Sequence, residues 1–322
     1  MACYYELSVV FCLAHELRKV GRYVCQTIKR RNANGWDSMK IASHELEKLS
    51  TAKTFPDKTP YKSLSVANVL SLAGRSGMSG REIELAALEN GIVPERYARN
   101  MRACSVEDQA ALLRARVGVV GLGGLGGTVA EVLARMGVGR LRLVDGDRFE
   151  DSNLNRQLLS TVEGMGQLKS EAARVRVDRI NPSVDVTALT EFVTAENAGG
   201  VLEGCDVVVD CLDNLHTRFV VEDACRRIGC PLVSAAVAGA SGHVTTIFPE
   251  DTGLRLIYGE PGQLPLKGAE TSLGTLPFAV TFLATLECAE VVKVILKKGS
   301  LLRHKLLVAD LMDGIVDVMN LR

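Results

Sequence analysis

The stretch from Arg116 to Asp147, RVGVVGLGGLGGTVAEVLARMGVGRLRLVDGD, constrains the fold more than any other part of the chain. Its apolar run Val117 to Val120 reads as a buried parallel strand and gives way to Gly121, Gly123, Gly124, Gly126 and Gly127. Apolar residues at helical spacing (Val129, Val132, Leu133, Met136) then lead to a second strand, Leu141 to Val144, which ends at Asp145. Strand, glycine turn, helix, strand and acid in that order make a nucleotide-binding unit. The glycines let the backbone turn tightly and approach a phosphate. The helix start offers N–H groups without partners and the positive end of a dipole, and the acid can accept from ribose hydroxyls.

The rest of the chain extends the same α/β alternation. After the second strand comes GDRFEDSNLNRQLLS, in which Asp147, Asp151, Asn153, Asn155, Arg156 and Gln157 follow a strand's carboxyl end, where open parallel sheets bind ligands. Lys169 stands near the start of a predicted helix, Gly166 to Ile180, and a strand follows at Val184 to Leu189. Cys205 to Asp210 reads as another buried strand, running into CLDNLHTR, a helix from Asn214 to Ile228 and a strand at Pro231 to Ala236. Asp213 therefore belongs at the same sheet edge as Gly123 and Asp145. Gly239 to Phe248 and Leu254 to Tyr258 read as strands of an antiparallel part, Gly259 to Gly274 as a long exposed loop, Leu276 to Lys298 as a helix, and Leu306 to Leu321 as one or two closing strands. The fold class expected is α/β: a Rossmann-like, doubly wound mixed sheet with a parallel nucleotide-binding half and antiparallel C-terminal strands.

Ahead of this domain, which spans about residues 94 to 322, the reading is thinner. Residues 1 to 60 form an extension without sustained period, loosely packed apart from a possible helix over Leu7 to Ile28. Residues 61 to 93 read as a helical lead-in, with a capping box at Ser79 and Glu82 and a stop at Gly91 before Pro94. Arg96, Arg99 and Arg102 then cluster, and by periodicity alone they are a solvated face.

Charge and cysteine usage narrow the function. Thirty-eight basic residues balance thirty-eight acidic ones, which argues against general nucleic-acid or anionic-membrane binding. The apolar run Ser8 to Ala14 is too short to span a bilayer and lacks a basic start, so neither a membrane helix nor a signal peptide is expected, and the chain reads as cytoplasmic. Nine cysteines without a C-x-x-C pair fit reduced thiols in a core rather than disulfides or a zinc site.

A glycine motif of this kind also serves dinucleotide-dependent oxidoreductases, but no Tyr-x-x-x-Lys pair follows, and the histidines read more easily as core or surface residues than as proton relays. The strand ends instead offer cations (Arg156, Lys169) and carboxylates (Asp145, Asp213), a set suited to a nucleoside triphosphate with magnesium. No G-x-x-x-x-G-K-[ST] loop is present.

GLGGLGG, LVDGDRFEDSNLNRQ, GQLKSEAARVRVDRINP and VVVDCLDN together resemble the ThiF/MoeB/HesA family, relatives of ubiquitin-activating enzymes, over roughly residues 94 to 322. The resemblance implies ATP-dependent adenylation of the C-terminal glycine of a ubiquitin-like sulfur carrier protein. It implies that Asp145 holds the ribose of ATP, that Arg156 and Lys169 contact the phosphates, and that Asp213 is the magnesium ligand and catalytic acid. Gly121, Gly123, Gly124, Gly126, Asp147, Asn153, Gln157 and Asn214 complete the expected nucleotide site. Arg99, in RYARN, is implied to reach the ATP site of a second subunit, which makes the chain a homodimer and replaces the solvated-face reading. The many members with a structural zinc carry two C-x-x-C pairs, absent here, so no zinc is expected. Members that form a thioester or persulfide have a cysteine in the crossover loop, yet none lies between Cys230 and Cys288. Cys211 reads as a small buried residue beneath the site. Adenylation of another carboxylate, such as that of a modified tRNA base, is the rival within the fold. A non-catalytic scaffold is disfavoured by the joint presence of Asp145, Arg156, Lys169 and Asp213.

Overall fold

A computed structural model of the chain describes residues 43–261 and 270–321. The possible helix at Leu7 to Ile28 lies outside them, as does the centre of the Gly259 to Gly274 loop. The described chain begins with a small α/β unit. After the helix Ser43–Leu49 come strands β1 (Thr51–Thr54) and β2 (Pro60–Leu64), the helices Val66–Ser76 and Gly80–Glu89, and strand β3 (Ile92–Pro94). β1 and β2 pair antiparallel, and β3 joins β2 in parallel. Both longer helices start at serine caps, and Ser79 and Glu82 form the reciprocal capping box that their spacing predicts. Leu46, Leu64, Val69, Leu72, Ile83, Ala87 and Ile92 give the unit its own core. This segment is therefore a helix-and-sheet unit rather than a purely helical lead-in. The strands escape sequence reading because TAKT is exposed on both faces, without the alternation that marks a half-buried strand, and Ile92–Pro94 is only three residues long.

The main sheet has eight strands: β4 (Arg116–Val120), β5 (Arg140–Val144), β6 (Asp185–Leu189), β7 (Val207–Asp210), β8 (Leu232–Ala238), β9 (Ser241–Ile247), β10 (Lys305–Asp310) and β11 (Ile315–Asn320). Their order is β11-β10-β9-β8-β7-β4-β5-β6. β6 to β8 in that order are parallel, and β9, β10 and β11 are antiparallel, as the sequence implies. Helices cover both faces, so β4 and β7 are buried apolar runs. One core gathers the helices Gly124–Met136, Lys169–Ile180 and Pro277–Leu296 on one face, and another gathers Ala198–Leu202 and Leu215–Ile228 on the opposite face.

Leu254 to Tyr258 is not a strand. Arg255–Tyr258 is a single helical turn, because β9 already has β8 and β10 as neighbours and the Leu254 N–H donates to Glu222 Oε1 at 3.3 Å instead of to a strand. A short helix, Glu270–Leu273, also interrupts the stretch read as loop.

The topology opens a crevice of the kind in which such sheets bind ligands. From β4 the chain moves to β5 and β6 on one side, then returns across to β7 and β8 on the other, so the carboxyl ends of β4 and β7 part over a crevice. The amino-terminal unit docks at the opposite, amino end of the strands, where Arg81 pairs with Asp185 at 2.8 Å and Gly80 closes against Ser183.

Candidate active site

The crevice opens into a cavity of 770 Å³ whose wall includes the glycine turn, Asp145, Asp147, Arg156, Gln157, Lys169, Asp213 and Asn214. Local chemistry builds it. Gly121 adopts φ +87°, and a Cβ there would lie 2.8 Å from the Cys211 carbonyl. A Cβ on Gly126 would come within 1.8 Å of the Gly121 carbonyl, so that glycine lets helix and strand close on each other. Gly123 caps the Gly124–Met136 helix without a side-chain hydrogen bond, which leaves the N–H groups of the first turn for an anion.

Asp145 holds this turn in place. Its Oδ2 accepts from the Leu122 N–H and its Oδ1 from the Asp147 N–H, both at 2.7 Å. Each oxygen keeps a lone pair for a further donor such as a ribose hydroxyl. Lys169 is the first residue of its helix and is nearly buried, its side chain 9% exposed, with Nζ 3.2 Å from Asp147 Oδ2. Arg156 Nη1 donates to the Ser152 carbonyl and to Asn155 Oδ1, both at 3.0 Å, while Gln157 is buried with Oε1 unpartnered. Asp213 is exposed at the rim, and Asn214 caps the Leu215–Ile228 helix by accepting from the Thr217 N–H at 3.2 Å.

Three expected residues do not line the cavity. Asn153 is buried in the loop below, where Oδ1 accepts from the Glu150 N–H at 3.1 Å and shapes the turn that carries Arg156. Gly126 acts through backbone packing only. Arg99 lies elsewhere altogether: the neighbouring Asn100 donates to the Met136 carbonyl, at the far end of the helix whose first turn forms the cavity. Thirteen residues of helix separate the two ends by about 20 Å, well beyond an arginine's reach. The Arg99 side chain is exposed and makes no ion pair or hydrogen bond among the described residues.

The wall also contains groups that sequence reasoning passed over. Phe192 stands 64% exposed on the Asp145 side, its ring against Gly146, where a Cβ would be 2.8 Å away. His243 of β9 contacts the Tyr258 hydroxyl at 2.9 Å, and burial together with nearby Arg218 pulls its pKa down to about 4, so the ring is neutral near pH 7. Beneath the floor, Arg218 is buried and donates to Asp210 Oδ2 at 3.1 Å and to the Ala235 carbonyl at 2.6 Å. Cys211 is buried 3.9 Å from Glu287 Oε2, and burial and the neighbouring carboxylates push its thiol well above its ordinary range, which opposes thiolate chemistry. Of these groups the sequence places only Cys211, as a small buried residue beneath the site; Arg218 stands at the end of CLDNLHTR without a distinguishing signal. Among the described residues no cluster of three or more His, Cys, Asp or Glu could hold a metal ion, and no helix is long and apolar enough to cross a membrane.

Cations, an uncapped helix start and a carboxylate converge from separate elements on one cavity, an arrangement fitted to a triphosphate. Comparison with known proteins gives the same direction. Residues 97–322 match the ThiF family. The chain is 38% identical over 224 residues to a SAMP-activating enzyme E1 of Haloferax volcanii, covering 68% of this chain and 82% of the relative. It is likewise 38% identical over 236 residues to a sulfur carrier protein adenylyltransferase of Thermus thermophilus, covering 68% and 84%. Among solved structures, Escherichia coli MccB with ATP superposes with a TM-score of 0.61 at 22% identity, covering 70% of this chain and 71% of that one, a likeness of fold.

Proposed function

The chain belongs to the ThiF family, and from that premise we propose that it uses ATP to adenylate the C-terminal glycine carboxylate of a ubiquitin-like sulfur carrier protein, releasing pyrophosphate. The observation that carries this reading is the convergence of Lys169, Arg156, Asp145, Asp213 and the uncapped helix start on one cavity. A carboxylate oxygen attacks the α-phosphorus as the bond to the pyrophosphate oxygen breaks, and that oxygen leaves with the electron pair. No covalent enzyme group is required, so the chain's work is placement and charge neutralisation. Lys169 and Arg156 would meet the phosphate oxygens, the first-turn N–H groups would hold the phosphate chain, and Asp145 would receive the ribose. The unpartnered Gln157 Oε1 provides a further acceptor in the wall.

The donor set at the rim suits magnesium, a hard cation that often takes one or two carboxylates and completes its shell with phosphate and water. Asp213 would hold it, and when bound it would neutralise charge on the departing pyrophosphate. A further arginine would come from a second copy: Arg99, exposed and making no ion pair or hydrogen bond among the described residues, completes the neighbour's site in a homodimer. Among the described residues the cysteines are unpaired, which supports the cytoplasm as its compartment.

Carrier-dependent exchange of labelled pyrophosphate into ATP tests the reading. Exchange that requires a ubiquitin-like protein ending in glycine is the expected result, and exchange without one would point to another carboxylate. Asp213→Asn should reduce it by two orders of magnitude or more, the scale of losing one group that meets transition-state charge, with the far-ultraviolet circular dichroism unchanged. A fully active Asp213→Asn variant would remove Asp213 from the reaction.

A further inference from the structure

The amino-terminal unit lies outside the family match, and its contacts suggest what it is for. Arg99 stands in a short segment gripped on both sides by the β1–β2 hairpin. Before it, the Glu95 carboxylate receives Lys53 Nζ at 2.8 Å and the Tyr61 hydroxyl at 3.3 Å, with Ser63 Oγ also donating to it. After it, Arg102 pairs with Asp57 at the hairpin tip and lies over the Phe55 ring, 5.1 Å from the centroid. Phe55 in turn stacks on Tyr61 with centroids 4.0 Å apart, and the Arg99 charge is felt at Tyr61, so both grips and the arginine share one patch. On the core side, Tyr97 is fully buried, its hydroxyl donating to Glu84 and accepting from Asn181, both at 2.9 Å.

Two features of the Asp57–Arg102 grip bear on its role. Arg102 and Asp57 are both more than half exposed, where an ion pair adds little to folding. Arg102 also holds φ +88°, a left-handed backbone uncommon for a non-glycine residue and shared among the described residues with Lys58, Lys297 and His304.

We propose that the β1–β2 hairpin is the positioning element for Arg99: Asp57 with Arg102 on one side, and Lys53, Tyr61 and Ser63 with Glu95 on the other, hold the guanidinium out toward the nucleotide of a second copy of the chain. This rests on the reading that Arg99 serves the neighbour's site. Asp57 and Arg102 are positioning residues and touch no nucleotide. Displacing a guanidinium by about 1 Å at a triphosphate can cost as much as a hundredfold, so weak surface contacts can matter to the site while mattering little to the fold.

Calorimetric titration of the full chain with ATP and magnesium, and separately with AMP, reads this directly, since AMP lacks the β- and γ-phosphates. Arg99→Ala should weaken ATP binding about tenfold, the scale of one charge-assisted hydrogen bond, and leave AMP unchanged. Asp57→Asn and Arg102→Gly should each reproduce a large part of that loss with unaltered melting temperature, since glycine relieves the left-handed backbone as it removes the pair. If Arg99→Ala binds ATP like the parent chain, the trans-arginine reading falls, and this proposal with it. If Arg99→Ala is defective while Asp57→Asn and Arg102→Gly bind normally, the hairpin role alone is overturned. Equal losses for ATP and AMP with a lowered melting temperature would make the hairpin a general structural support, again contrary to the proposal.

Discussion

At the scale of single residues, Asp145 shows how one side chain ties structure to ligand. Both of its oxygens hold backbone N–H groups of the turn, so removing it would loosen the glycine turn as well as the proposed ribose contact. Gly126 is more restrictive. Its missing Cβ would stand 1.8 Å from a carbonyl oxygen that cannot swing away, so Gly126→Ala must shift helix from strand. The expected cost is on the order of 1 to 3 kcal/mol, read by urea denaturation, with loss of ATP binding. With the ribose at Asp145 as proposed, the exposed ring of Phe192 lies where a purine would stack. Phe192→Ala should raise the ATP KM by about three- to tenfold, the scale of one aromatic stacking contact, and leave kcat nearly unchanged; an unaltered KM would place the base elsewhere. The glycines, Asp145 and Asp213 are legible in sequence because each is contiguous with the strand end that places it. Phe192 and His243 are not. Phe192 follows β6 in the irregular stretch TEFVT and His243 stands within β9, so neither belongs to a motif in sequence, and only the fold brings them to one wall.

Among elements, the helix Leu215–Ile228 carries a group whose protonation reports on folding. Glu222 is buried, with Oε1 accepting from Arg226 and from the Leu254 N–H, and Oε2 unpartnered. Burial, only partly offset by Arg226, pushes its pKa up from 4.5 to about 7. Between those values the unfolded chain releases the proton and the folded chain keeps it, so this group's contribution is fully present below pH 4.5 and is lost as pH rises through about 7. Glu222→Gln removes that dependence. Relative to wild type, the variant should gain up to about 3 kcal/mol between acid and neutral pH, measured by urea melts across the range; parallel stability curves for the two chains would show that Glu222 ionises normally. The same carboxylate explains an element that sequence misread. Glu222 takes the Leu254 N–H, and Gly253 at φ +74° turns the chain there, so a run with strand composition becomes a helical turn. By contrast, the long strands and helices of the nucleotide-binding half are plain in sequence, because buried parallel strands are unbroken apolar runs and their helices end at glycines such as Gly137 and Gly229.

For the whole molecule, the decisive relation is between two ends of one helix: the Gly124–Met136 helix begins at the cavity and ends beside the Arg99 segment. If Arg99 acts on the neighbouring copy, Arg99→Ala and Asp213→Asn should each be inactive alone, yet mixing them should restore about a quarter of wild-type activity, since about half of randomly formed pairs are mixed and each has one intact site. No recovery, with subunit exchange verified by native mass spectrometry, would return Arg99 to its own chain. How copies pair cannot be read from periodicity, which sees Arg99 only as one of three arginines on a polar stretch; what distinguishes it is that, among the described residues, Arg96 and Arg102 form ion pairs and Arg99 forms none. The separation of these two residues also has a genetic consequence. Paired with wild type, a chain lacking only Asp213 or only Arg99 leaves one working site. A chain lacking both silences the two sites at once: its own lacks the acid, and its partner's lacks the arginine. The doubly substituted allele should therefore be dominant-negative when co-expressed, while either single substitution stays largely recessive.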